Sequence, residues 1–174
     1  EADYFEGQNK PHRPEIKNLV YKCAGVDLKL GWQSNGAKTW QQAYRHPAYG
    51  IGLNYNSFET SILGSPVSIY FFTDFPMVRY RRFKISASYN LGASYGINPY
   101  DAVENPNNKA TGTSGNAYFA LMAHEELFIS KRWALTAVQG FTHYSNGTLG
   151  YPNLGLNAPV YKVGLRYYTE APQK

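Results

Sequence analysis

Residues 141 to 157 read FTHYSNGTLGYPNLGLN, and in them His143 and Ser145 stand two positions apart. A serine hydroxyl is a poor nucleophile at neutral pH unless a base lies within hydrogen-bond reach and a third group orients that base. On an extended strand, positions i and i+2 emerge on the same face, so this spacing lets the two side chains act together. Asn146 and the amides of Gly147 and Thr148 follow at once, and they can donate to a developing oxyanion. Asn157 has the parity of Tyr161 and Val163, so a following strand would turn it toward the His-Ser pair. Alone, His-x-Ser also arises from side chains that merely bond to backbone. The chemistry therefore depends on the elements that hold these residues.

Those elements are written as alternation. In residues 83 to 97, FKISASYNLGASYGI, apolar Phe83, Ile85, Ala87, Tyr89, Leu91, Ala93, Tyr95 and Ile97 alternate with Lys, Ser, Asn and Gly. Period two marks a strand, and this one is far longer than the roughly 5 or 6 residues usual in globular sheets. A tilted membrane-spanning strand needs about 9 to 11. The rhythm recurs in Ala24, Val26, Leu28, Leu30 and Trp32, and in Tyr49, Ile51, Leu53 and Tyr55. It is weaker in 66 to 80 and 116 to 130, and returns in 132 to 146 and 158 to 169. Alternation alone does not say which face meets the core, because a lipocalin-like soluble barrel alternates in the opposite sense. The polar face here is made of Ser, Gly, Asn and Lys, suited to a narrow wet lumen, and the apolar face ends in Tyr and Trp, as interface girdles do. The reading is all-β: an antiparallel up-and-down outer-membrane β-barrel, one domain over residues 1 to 174.

Bacterial barrels of this kind have short periplasmic turns and long outer loops. Short connections fall near 79 to 82 and 130 to 132; long ones fall near 57 to 65, 98 to 115 and 147 to 157. The strand from 132 then rises toward the outer leaflet, with His143 and Ser145 at its outer end on the lipid-facing wall. A nucleophile there meets only lipid. This count gives seven strands, whereas such barrels usually have an even number. The polar stretch 1 to 20 falls where an outer loop is expected. Either it hides a strand, or an additional strand or partner chain completes the barrel; the end TEAPQK, without a terminal aromatic, fits a truncated chain.

The formal net charge is +5, yet Lys and Arg are dispersed rather than gathered into a nucleic-acid arm. An anionic surface is the better partner, and Arg79, Arg81 and Arg82 read as the solvated end of a hairpin. With Cys23 as the one cysteine, no intramolecular disulfide, zinc cage or CxxC pair is available. No apolar run approaches the length of a membrane helix. HEEL at 124 to 127 lacks the second histidine of a zincin, so Glu125 and Glu126 are lumenal or girdle residues; Glu125 lies roughly 20 Å from His143 at about 3.4 Å per residue. Asp27, on the polar face, is expected to pair with a lumenal Lys or Arg.

The longer pattern His143-Tyr-Ser-Asn-Gly, with Pro152-Asn153 and Gly155 after it at the end of the penultimate strand, resembles the lipid A 3-O-deacylase (PagL) family, including its acyloxyacyl hydrolase-like relatives in Bacteroidetes. The resemblance implies an eight-stranded barrel of the bacterial outer membrane that hydrolyses the ester at position 3 of lipid A, without metal or organic cofactor. It implies His143 as base, Ser145 as nucleophile, and Asn146 in the oxyanion hole, where Gly147 can join it. The family's acidic third member lies fourteen residues after the histidine, and here that position is Asn157. An amide can hold an imidazole in place but stabilises the imidazolium less than a carboxylate does. Two other readings stand beside the esterase: an inactive barrel serving as a structural or lipid-binding subunit of an envelope assembly, and a soluble lipocalin-like binder.

Overall fold

The structure, a computed structural model, describes residues 1–9 and 21–172. Eight antiparallel strands follow one another around a closed barrel in sequence order. They are β1 (Ala2–Asn9), β2 (Tyr21–Gln33), β3 (Ala48–Ser57), β4 (Gly64–Tyr80), β5 (Phe83–Ile97), β6 (Gly115–Phe128), β7 (Trp133–Ser145) and β8 (Leu156–Tyr167). Tight connections at 81–82 and 129–132 mark one end, and the long connections 98–114 and 146–155 mark the other. The turn end also carries a connection longer than the short turns read from sequence, residues 34–47, which holds the one-turn helix α1 (Thr39–Ala43).

The expected gap in the sheet is filled by the chain itself. β1 pairs with β2 from Ala2↔Leu28 to Asn9↔Tyr21, and with β8 from Ala2↔Leu165 to Gly7↔Val160. The barrel is closed with no additional strand or partner chain, which corrects the seven-strand count and the assignment of residues 1 to 20 to an outer loop. β1 is hard to see because Glu6 and Gln8 occupy the parity of Ala2 and Tyr4, so its apolar rhythm ends after two positions. Neighbouring strands, not its own pattern, make it a strand. The remainder of that expected loop, 10 to 20, lies outside the described residues.

The sense of the alternation excludes the lipocalin-like reading. Leu28, Ile69, Phe71, Leu91 and Val163 point outward and are exposed, whereas Ser68, Ser86, Ser88 and Asn90 are buried. A soluble barrel cannot present such a continuous apolar wall to water; lipid is the solvent that fits it.

Large side chains fill much of the lumen. Toward the long-loop end, Tyr70, Tyr118 and Tyr144 form a column with successive ring centroids 5.3 Å apart, capped by Phe58, Leu63 and Ile97. Glycines make room for it: a Cβ on Gly52 would lie 2.2 Å from the Tyr70 ring. These inward Tyr, Phe and Met side chains are why β4 and β6 alternate less cleanly than β5. Toward the turn end the filling is ionic. Arg166 binds Glu1, Asp74 (3.0 Å) and Glu126 (2.8 Å), and Lys84 also pairs with Glu126. Glu126 is lumenal, while Glu125 faces outward and accepts from Gln139 at 3.2 Å. Asp27 pairs with Lys162 and accepts from the Tyr70 hydroxyl, as its place on the polar face led us to expect.

Candidate active site

β7 carries His143 and Ser145 on its outward face, in line with the exposed Trp133, Leu135 and Phe141. The pairing register sets their neighbours. Across β6, Phe119 is opposite His143 and Ala117 is opposite Ser145; across β8, Asn157 is opposite His143. A fourteen-residue separation in sequence thus becomes direct juxtaposition, because the loop 146–155 returns the chain with no slip in parity.

His143 Nδ1 and Asn157 Oδ1 are 2.6 Å apart. An amide oxygen only accepts, so Nδ1 carries the proton and the free lone pair sits on Nε2. The ring is also held from above. Gly155 stands at φ +71°, and a Cβ there would lie 2.9 Å from His143 Cε1. Its left-handed backbone suits glycine, and its missing side chain is what lets the loop close against the imidazole.

Ser145 is half-buried, and its hydroxyl donates to Asn153 Oδ1 at 3.2 Å. It makes no hydrogen bond to His143 among the described residues. The Gly147 N–H donates to Ser145 Oγ at 3.4 Å. Gly147 is exposed at φ +60°, with open space where its Cβ would be. Of the backbone donors after the serine, this one borders the hydroxyl. Asn146 behaves differently from its neighbour. It is buried, its Nδ2 donates to Thr111 Oγ1 (3.2 Å) and to the Gly150 carbonyl (2.8 Å), and its Oδ1 accepts from the Thr148 N–H (2.9 Å). Its side chain builds the loop.

Two groups of residues that the sequence left without a role shape this site. Asn153 takes both the Ser145 hydroxyl and, at 3.3 Å, the Asn146 N–H; its place in the Pro-Asn pair was the one signal available. The loop 98–114 supplies the other group. Ala110 O accepts the Gly155 N–H at 3.0 Å, Thr111 accepts from Asn146, and Gly112 packs so close to Tyr151 that a Cβ would lie 2.3 Å from its carbonyl oxygen. Nothing in the spacing of residues 110 to 112 foretells contacts 35 to 45 residues further along.

A family model described as lipid A 3-O-deacylase (PagL) matches residues 25–167. Among solved structures, the crystal structure of the outer membrane enzyme PagL matches with a TM-score of 0.70 at 14% identity, covering 96% of this chain and 99% of that one; at that identity the likeness is one of fold. A comparison with curated proteins gave no match.

Proposed function

Since the chain belongs to the lipid A 3-O-deacylase (PagL) family and forms its eight-stranded outer-membrane barrel, we propose that it hydrolyses the 3-O-linked acyl ester of lipid A through Ser145 and His143. The observation that carries this reading is the His143–Asn157 hydrogen bond of 2.6 Å on the lipid-facing wall, with Ser145 two residues along the same face. With Nδ1 held by Asn157, the lone pair of Nε2 is free to serve as the base, on a face that an acyl chain in the bilayer can reach.

Consecutive same-face positions are separated by about 6.8 Å of strand rise, a gap that an imidazole spans. Rotation of Ser145 about χ1 exchanges its bond to Asn153 for one to Nε2. Oγ then attacks the ester carbonyl as Nε2 takes its proton, and the Gly147 N–H meets the oxyanion. The proton passes from Nε2 to the departing sugar oxygen, leaving an acyl-serine. Water, deprotonated by the same nitrogen, releases the fatty acid and restores the serine. Asn146 enters as the residue that fixes the loop carrying this donor. Its own amide becomes an oxyanion donor if the bonds to Thr111 and Gly150 open. Asn157 keeps the proton on Nδ1 and orients the ring, without the charge that an acid would add.

That neutrality, together with the Ser145–Asn153 bond, also favours a second reading in which the barrel has lost catalysis and serves as a structural or lipid-binding subunit. Mass spectrometry of lipid A incubated with detergent-solubilised protein separates the two. The esterase removes one hydroxyacyl chain, and Ser145→Ala, still heat-modifiable as a folded barrel, lowers that rate at least about 10³-fold. An intact lipid A with folded wild-type protein overturns the esterase.

A further inference from the structure

At the end of the barrel opposite His143 and Ser145, the two tight turns and the segment after β8 enclose a cleft of about 690 Å³. Its cations are Arg79 at the end of β4, Arg81 and Arg82 in the β4–β5 turn, Lys84 at the start of β5, and Lys131 in the β6–β7 turn. No carboxylate lines it among the described residues. Lys84 turns inward to Glu126 and donates to the Tyr168 hydroxyl at 3.1 Å. Arg82 and Lys131 make no ion pair among the described residues, nor does Arg81, whose guanidinium lies 5.2 Å from the centroid of the Tyr80 ring. Arg81 holds φ +53°, a conformation in which Gly or Asn would be less strained.

Ser130 apart, the rest of the lining is apolar: exposed Tyr80, Phe83 and Ile129 meet the cations at the edge of the lipid-facing wall, and half-buried Phe128 packs against Tyr168 with ring centroids 5.7 Å apart. This combination discriminates among anions. A free inorganic anion needs the charge and has no use for the aromatic wall. A glycerophospholipid needs both, its headgroup beside the turn cations and the first carbons of its chains along Phe83 and Ile129. Zwitterionic headgroups bring their own ammonium into an already positive cleft. We propose that this cleft is a binding site for an anionic glycerophospholipid of the leaflet opposite the candidate active site. It accounts for the positive charge that neither the barrel fold nor ester hydrolysis requires, and it anchors the short-turn end at a fixed depth.

The test is native mass spectrometry of the detergent-solubilised full chain equilibrated with equimolar phosphatidylglycerol and phosphatidylethanolamine of identical acyl chains. Wild type is expected to carry phosphatidylglycerol in about tenfold preference, falling toward parity in 0.5 M salt. The triple variant Arg81→Gln, Arg82→Gln, Lys131→Gln loses the preference, and Lys109→Gln, in the loop at the other end, keeps it. Folding of each variant is checked by heat-modifiable mobility. Equal retention of the two lipids by wild type overturns the proposal, and so does a salt-insensitive preference; neither depends on the variant folding. Displacement of phosphatidylglycerol by millimolar inorganic phosphate overturns the lipid assignment in favour of a bare anion site. The readout involves no lipid A, so failure of the esterase reading leaves this result intact.

Discussion

Asn157 is the residue on which the proposed chemistry turns. Its oxygen lies 2.6 Å from His143 Nδ1, so in the proposed mechanism it would do the positional half of a catalytic acid's work while adding no charge to offset the imidazolium that would form on deprotonation of Ser145. Asn157→Asp should therefore raise kcat by about tenfold to a hundredfold, read as acyl chains released per minute from lipid A, whereas Asn157→Leu should lower it by freeing the tautomer. An unchanged rate in the Asp variant would mean that the ring is not the base. Gly155 tests positioning separately. Alanine there places a methyl 2.9 Å from His143 Cε1 at φ +71°, so the ring must move. Gly155→Ala is expected to cost about 1–2 kcal/mol of local stability from the left-handed backbone and about a hundredfold in kcat from a displacement on the order of 1 Å, with little change in the circular dichroism of the barrel.

At the scale of elements, the site belongs to two loops rather than to one. Thr111 Oγ1 accepts from Asn146 Nδ2 and from the Thr113 N–H, and donates to Asn116 Oδ1 at 2.9 Å, so one buried hydroxyl ties loop 98–114 to the turn after the serine. Thr111→Val preserves shape and strands those donors. The expected cost is about 1–3 kcal/mol, seen as faster amide exchange at 146–155 with the strands unaffected. Equal exchange in the two proteins would mean that backbone contacts such as Gly155 to Ala110 hold the loop without it. The strands themselves are legible in the sequence: the alternation over 83 to 97 is β5 at Phe83–Ile97, and β7 and β8 fall within two residues of the expected 132 to 146 and 158 to 169. The interlocking of loops is not, since it rests on contacts between segments with no periodicity to relate them.

For the whole molecule, the lumen sets stability. Arg166 joins carboxylates from two strands and from the residue before β1, meeting Asp74 on β4, Glu126 on β6 and Glu1. Arg166→Met removes the charge and leaves the acids buried together. Breaking a buried network in this way should cost about 3–5 kcal/mol, measured as a lower midpoint of heat-modified migration in detergent. The double variant Arg166→Met, Glu126→Gln should recover part of the loss. If the single variant unfolds like wild type, the network contributes nothing to closure and the tyrosine column carries the lumen.

The sequence by itself determined the wall and the motif. A strict period of two over fifteen residues admits only a long strand, an apolar face backed by Ser, Gly and Asn admits lipid outside, and His143-x-Ser145 on such a strand must share one face. What the tertiary structure decided was closure and partnership. β1 is a strand because β2 and β8 offer it two unpaired edges, a nonlocal demand that outweighs the pattern ADYFEGQN. His143 meets Asn157, and Asn146 meets Thr111, because barrel register and loop packing bring them together, and register is a property of the closed sheet that no single segment encodes.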